Sequence, residues 1–329
     1  MADMAMINVA LVGAGRVASL HADGFLRTGC ARIVAVADPR EDAATVLADR
    51  LGAEPVPDLD AVLGLADVDA VCLAVPHDLH APMAMKVLMA GRHVFLDKPL
   101  ATTVEDGEAV AQLAARSQPS LMVCHNLLFH PAVRLASARL AERPVGRITT
   151  VAAWSHGWLD LTPWDFRRSL RSTGGGAWVD GAGHLLYTIE HLLGPVDHVQ
   201  ALRATGESRI GGEDNASAVI GLRSGATGTL QVSYADRLAG SRAPWPAGWR
   251  LGLRISGTAG TLELDLLPEA RLATSRDGAP VATERVDASF EASFHAAIAE
   301  FVRAVVEHRE PSISAKDALR ILRLLHDAA

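Results

Sequence analysis

The segment Val9-Ala-Leu-Val-Gly-Ala-Gly-Arg-Val-Ala18 joins an apolar run to a glycine turn and then to a helical pattern. Consecutive apolar residues suit a strand buried on both faces, as in a parallel sheet covered by helices. Gly13 permits the tight turn, and Gly15 lets the main chain approach a diphosphate. Ala18 takes the third small position, where the helix packs on the sheet, so the pattern reads GxGxxA. The negative charge would rest on the N–H groups around Arg16 and Val17 and on the positive end of the helix dipole, without need of a lysine. A second apolar run, Val34 to Ala37, ends in Asp38 about twenty residues further on, where a carboxylate can accept hydrogen bonds from an adenosine ribose. Turn and acid together imply a bound dinucleotide. Asp38 repels a 2′-phosphate and favours NAD, whereas Arg40 could swing toward such a phosphate and leaves NADP possible.

The pattern around this motif is that of a doubly wound α/β domain. Ile7 to Val12, Arg32 to Asp38, Ala70 to Val75 and His93 to Leu96 read as buried strands. Arg16 to Thr28, Arg40 to Leu51 and Leu79 to Ala90 carry apolar residues at helical spacing. A helix over Val104 to Ser117 and a strand over Ser120 to Cys124 follow. Beyond Arg147 the runs lengthen and alternate: Ile148 to Trp154, Val196 to Ala204, Ala216 to Leu222, Thr227 to Ser233, Leu251 to Ser256 and Thr261 to Leu266. Short turns between them predict a large, open, mainly antiparallel sheet in an α+β second domain. Helices are expected over Ala177 to Leu193, Phe290 to His308 and Ala315 to Ala328. The boundary is expected near Cys124 to Pro131, giving a dinucleotide-binding domain over 1–125 and a substrate-binding and oligomerisation domain over 126–329. The C-terminal helices are expected to pack back on the first domain.

A chain of 329 residues is too long for one small core, which agrees with two domains. Its 31 basic and 38 acidic residues give a net charge of −7, with no positive excess to hold a nucleic acid backbone. No apolar run reaches the ~18 residues of a membrane span, and Met1 to Asn8 lacks the basic and apolar regions of a leader, so a cytoplasmic protein is expected. Cys30, Cys72 and Cys124 show no CxxC spacing and read as reduced, packed thiols. His77 and His80 form an HxxH pair, but in a strand-to-helix turn after Pro76 they suit a cap or a cofactor contact better than a metal, so no metal is expected.

Two further segments carry a resemblance. Ala74-Val-Pro-His-Asp-Leu-His80 precedes a helix and then Gly91-Arg-His-Val-Phe-Leu-Asp-Lys-Pro-Leu100; later comes Gly174-Gly-Gly-Ala-Trp-Val-Asp-Gly-Ala-Gly-His184. Together they resemble the Gfo/Idh/MocA family of sugar and polyol oxidoreductases, with its Thr-Pro-Asn-x-x-His, Glu-Lys-Pro and Gly-Gly-Gly-x-x-x-Asp-x-Gly-x-His motifs. Val75-Pro76-His77 departs from the first motif and Asp97 replaces the usual Glu, while His80, Lys98, Pro99, Asp180 and His184 match. The resemblance implies a Rossmann-type first domain and hydride transfer between a secondary alcohol and a nicotinamide. It implies His184 as general base, Lys98 as stabiliser of the alkoxide or proton relay, and Asp180 as a substrate-binding or orienting group. The sequence leaves both Lys98 and His184 as proton carriers. Independently, Asp180 and His184 stand four apart, which on an α-helix places them on one face. Lys98 falls at the carboxyl end of a strand, the ligand-binding edge of open α/β sheets.

By likeness, Trp164 with Arg167 or Arg168 stands for a Trp-Arg pair, and Asn126 for a polar position reaching the nicotinamide side. Ala74, Pro76, His77, His80, Asp97 and Lys98 complete the expected cofactor contacts. All six tryptophans lie beyond residue 150. Trp154, His156, Trp158 and Trp178 are candidates to hold a substrate with an apolar ring face, and Trp245 with Trp249 for a lid or an oligomer contact. The partners expected are a small molecule and a second copy, in a homodimer or homotetramer. The family likeness also admits redox-neutral glycoside cleavage, reduction of a keto-sugar, or a cofactor-binding protein without catalysis.

Overall fold

The computed structural model describes residues 6–159, 161–162, 165–206, 210–237 and 248–328. The chain divides into two compact units. One runs to Asn126 and takes back Phe294–Leu322; the other comprises Leu127–Ser293 and the residues from Arg323 onward.

The first unit begins with β1 (Ile7–Val12), α1 (Arg16–Arg27), β2 (Ala31–Ala37), α2 (Glu41–Leu51), β3 (Glu54–Val56), α3 (Leu59–Gly64) and β4 (Ala70–Leu73). It continues with α4 (His80–Met89), β5 (His93–Leu96), α5 (Val104–Ala114) and β6 (Leu121–Val123). The six strands form one parallel sheet in the order β3-β2-β1-β4-β5-β6, doubly wound as expected. Val9, Leu11, Val71, Leu73, Val94 and Leu96 are fully shielded, which is why these strands are apolar without alternation. On one face His21 and Phe25 of α1 meet Phe95 of β5, and Phe301 closes the aromatic group. On the other, Ala315, Ala318, Leu319 and Leu322 join a core with Leu100 and Val110. The order of strands reverses between β1 and β4, and the loops at their carboxyl ends hold the glycine turn and the Ala74–His80 segment.

The second unit holds α6 (Pro131–Ala141), β7 (Ile148–His156), α7 (Leu170–Thr173), α8 (Gly183–Leu193), β8 (Val196–Ala204), β9 (Asn215–Leu222) and β10 (Thr227–Ser233). Then come β11 (Arg250–Gly257), β12 (Gly260–Leu267), β13 (Arg271–Arg276) and β14 (Ala279–Arg285). The last helices of the chain are α9 (Phe290–Val306) and α10 (Ala315–His326). The eight strands form a single sheet, β14-β13-β12-β11-β7-β10-β9-β8. It is mainly antiparallel, with one exception: β7 and β10 run parallel, Trp154 opposite Gln231. Alternation sorts its faces. Val151, Ala153, Leu230 and Val232 are buried on the side covered by α8, while Thr150, Ala152, Val219 and Thr229 line a shallow cavity of about 640 Å³ on the other.

One expected element is altered. The helix read over Ala177 to Leu193 starts as a π-helical turn, Trp178–Ala182, and becomes α-helical only at Gly183. Asp180 and His184 therefore span a widened turn rather than a regular i, i+4 step. Such turns are frequent at functional sites. No helix among the described residues is long and apolar enough to cross a membrane.

Candidate active site

At the glycine turn, a Cβ on Gly13 would sit 2.1 Å from the Ala74 carbonyl oxygen, and the residue has φ of +100°, so only glycine fits. Gly15 differs. Its Cβ would meet no protein atom within 4 Å, so the space above the helix start is open. Gly15 and Arg16 are exposed there, and no side chain caps α1 at Gly15. The opening N–H groups of a helix have no partner within it, and they suit a diphosphate. Asp38 accepts the Ala14 N–H at 2.8 Å and the Arg40 N–H at 2.9 Å, with Arg40 Nε 3.3 Å away. The carboxylate is thus fixed to the turn it serves, while the Arg40 side chain remains 61% exposed. These residues fit a dinucleotide with free ribose hydroxyls.

The next two strand ends are tied together by His80. Its Nδ1 lies 2.5 Å from the Pro99 carbonyl oxygen and its Nε2 3.0 Å from that of Val75. The ring is fully buried. Burial lowers its pKa, against the two carbonyls and Asp97. His80, expected as a cofactor contact, therefore pins the segment after β4 to the Lys98-Pro99 segment after β5. His77 is buried beside it, with ring centres 5.4 Å apart, while Ala74 and Pro76 are partly exposed. Asp97 accepts the Lys98 N–H at 3.0 Å, and both side chains are half-buried at the carboxyl edge of the sheet. Asn126 is buried at the end of the unit. Polar atoms of His21, Asp97 and Cys124 lie within 4.8 Å of one another. Burial, and then the charge of Asp97, raises the Cys124 thiol well above its usual range.

In the second unit the triple glycine has a steric reason. A Cβ on Gly176 would lie 2.0 Å from the Glu213 carbonyl oxygen, which instead accepts the Ala177 N–H at 2.7 Å. The Glu213 carboxylate accepts the Trp178 N–H at 3.0 Å, so one residue seats the start of the π-helical turn. That turn delivers Asp180 to Arg167, whose Nε donates at 3.2 Å, and to the Tyr234 hydroxyl, which donates at 2.9 Å. Arg167 also bonds both oxygens of Asp165 at 3.2 Å. Burial works to lower the Arg167 pKa, but Asp180 and Asp165 more than offset it, so the net shift is upward and the guanidinium stays charged. Burial and the neighbouring Asp180 push the Tyr234 hydroxyl well above its ordinary range, so it remains a donor. Asp180 thus receives two donors on one oxygen. His184 is half-buried, and its Nδ1 lies 2.5 Å from the Tyr187 hydroxyl.

Several expected residues do not gather here. Trp154 and His156 lie on the open face of the sheet, opposite the face to which Asp180 is bonded, because both alternate with the buried Ala153 and Ser155. His156 approaches Asp236 at 3.6 Å. Trp178 is fully buried, with its indole N–H donated to the Leu325 carbonyl at 2.9 Å, and packs as core. Trp158 bridges to Ala235 under the Arg237 guanidinium, 3.9 Å from its ring centre. Trp249 is buried against Gly157 and Tyr234. Arg167, expected at the cofactor, clamps the carboxylates of Asp165 and Asp180. Trp164 and Trp245 lie outside the described residues. Tyr187 and Tyr234 were not anticipated, although a signal existed: the chain has just 2 tyrosines, and each bonds one of the paired motif residues.

Comparison with known proteins agrees with this geometry. Residues 7–125 match a family described as "Oxidoreductase family, NAD-binding Rossmann fold", and residues 133–263 match the "GFO/IDH/MocA C-terminal domain". The chain is 32% identical over 149 residues to inositol 2-dehydrogenase of Rhizobium meliloti (strain 1021), a match covering 45% of each protein. It is 26% identical over 327 residues to 4-carboxy-2-hydroxymuconate-6-semialdehyde dehydrogenase of Sphingobium sp. (strain NBRC 103272 / SYK-6), covering 97% of this chain and 96% of that one. Levoglucosan dehydrogenase, solved in complex with NADH and levoglucosan, superimposes with a TM-score of 0.87 at 20% identity, covering 98% of this chain and 97% of the other. Among curated relatives, the matched region spans about half of the inositol and levoglucosan dehydrogenases, 45% and 55% of their lengths. With both of its domain types present in order, behind a glycine turn shaped for a diphosphate, the chain belongs to the Gfo/Idh/MocA family of NAD-binding oxidoreductases.

Proposed function

We propose that this chain transfers a hydride between a secondary alcohol of a sugar, polyol or related cyclic metabolite and a nicotinamide. The observation that carries the reading is the Asp180 cluster: a carboxyl group bonded by Arg167 and Tyr234, followed within one widened turn by a half-buried imidazole. A carboxylate can orient a substrate hydroxyl, and an imidazole can take its proton near neutral pH. NAD, when bound, supplies the hydride acceptor. The glycine turn with Arg16 and Val17 would hold its diphosphate, and Asp38 its ribose. Lys98 would stabilise the alkoxide, and His184 would accept the proton as the hydride leaves. Asp38 favours NAD over NADP, which a comparison of kcat/KM with the two cofactors tests.

Inositol and levoglucosan, named for two relatives, are the first compounds to try, within a panel of sugars, inositols and glycosides. Lys98→Met and His184→Gln should each lower kcat by about a thousandfold or more, while NADH binding followed by its fluorescence persists. Near-normal turnover in both variants would remove the proposed roles. Glycoside cleavage without net NADH formation would replace the redox reading by a redox-neutral one. The open sheet face, with Val219 and Leu202 exposed, supports a homodimer or homotetramer, which light scattering would measure.

A further inference from the structure

Tyr187 stands one turn beyond His184 on α8, its ring centre 5.5 Å away and nearly perpendicular, at 66°. Its hydroxyl oxygen lies 2.5 Å from His184 Nδ1 and accepts the Leu127 main-chain N–H at 3.4 Å. Tyr187 is buried, so the phenol is held by packing as well as by hydrogen bonds.

The two ring nitrogens of His184 cannot do the same work. To remove a proton from an alcohol, Nε2 must present a lone pair, and a neutral imidazole can do so only with its single proton on Nδ1. After accepting the proton, the ring carries one on each nitrogen. Nδ1–H is therefore present in both working forms, and a buried N–H needs an acceptor in both. The Tyr187 oxygen is placed to be that acceptor. The Leu127 N–H takes one of its lone pairs and fixes the orientation of the other. The chain's two tyrosines then act in opposite senses: Tyr234 donates to the Asp180 carboxylate, and Tyr187 accepts from the neighbouring ring.

We propose that Tyr187 is a positioning residue that keeps the ring proton of His184 on Nδ1 and leaves Nε2 as the atom that exchanges a proton with substrate. The proposal rests on the reading of His184 as the base. In the oxidation the alcohol carbon gives a hydride to the nicotinamide, its O–H proton passes to Nε2, and the Nδ1 proton stays where it is.

Nitrogen-15 spectra of the histidine-labelled chain, recorded without ligand at about pH 7.5, read the tautomer directly. The His184 signals are those missing from His184→Gln. We expect a protonated Nδ1 and a bare Nε2 in the natural chain, and in Tyr187→Phe a shift toward a protonated Nε2, the form an unconstrained imidazole prefers. A natural chain protonated on Nε2 would overturn the proposal, as would a Tyr187→Phe ring with the natural chain's tautomer. Because the spectra report the ring alone, they fail or succeed separately from turnover: an active His184→Gln enzyme would discredit the base, not the tautomer.

Discussion

The glycine turn of the first unit and the π-helical turn of the second are both places where the chain enters a helix, yet they prepare opposite kinds of chemistry. The first works through what is missing. Gly13 has no room for a side chain, Gly15 leaves open space, and the groups offered are main-chain N–H with one carboxylate in support. The second works through side chains that meet from distant parts of the sequence: Arg167 and Tyr234 reach Asp180 across 13 and 54 positions. A main-chain site should be sensitive to added volume, and a side-chain site to lost charge.

Three substitutions can break or sharpen that contrast. Gly13→Ala combines a left-handed backbone with an overlap against Ala74, and it should cost the fold about 4 kcal/mol in urea unfolding. Gly15→Ala should leave stability within about 0.5 kcal/mol yet weaken NADH binding roughly tenfold or more. Equal destabilisation by the two would deny the distinction between a turn that needs glycine for its own geometry and one that needs it for a ligand.

Arg167→Met tests the other half. It removes the cation shared by Asp165 and Asp180, and unfolding should become easier by about 3 kcal/mol because a buried carboxylate loses its partner. Carbon-13 spectra of the carboxyl groups should show Asp180 taking up a proton at higher pH than in the natural chain. An unchanged stability would mean that the cluster is solvated and not set by its side chains.

A fourth test concerns a helix entry of a third kind. His130 caps α6 by accepting the Ala132 N–H on its Nδ1 at 3.1 Å, and burial lowers its pKa to about 4. The folded chain thus binds this proton less readily than the unfolded chain, whose histidines titrate near 6.5. The contribution of a neutral His130 is complete above about pH 6.5, and it is lost as pH falls toward 4. It should amount to ~2 kcal/mol in thermal unfolding between pH 7 and pH 4. His130→Asn, which can cap without titrating, should flatten that part of the profile. A slope would remain from His125, which burial holds at about 3.

The same contrast explains what could be read in advance. The parallel sheet announced itself because burial on both faces makes its strands continuously apolar, and the glycine motif is a matter of spacing along one stretch. Short β3 escaped notice because Pro55 interrupts a strand of three residues. Strands β13 and β14 escaped because they are largely polar and exposed, although Asp277-Gly278 between them, both at positive φ, is a hairpin signal that could have revealed them. Lys98, Asp180 and His184 were found by likeness to a motif. The tyrosine partners of Asp180 and His184 were not: Tyr234 becomes a neighbour of Asp180 only after the sheet has formed, and Tyr187, one turn beyond His184, belongs to no motif. The tryptophans misled for a related reason: closeness in sequence along β7 says nothing about which face of a sheet a side chain takes.

Glu213 carries a final consequence. Its carbonyl occupies the volume that a side chain at position 176 would need, and its carboxylate caps the π-helical turn. The loop before β9 and the glycine run before Asp180 are thus two halves of one mould. Anyone grafting a foreign loop over residues 210–214 would have to transplant the glycines with it, or the acid at 180 would be recast as well.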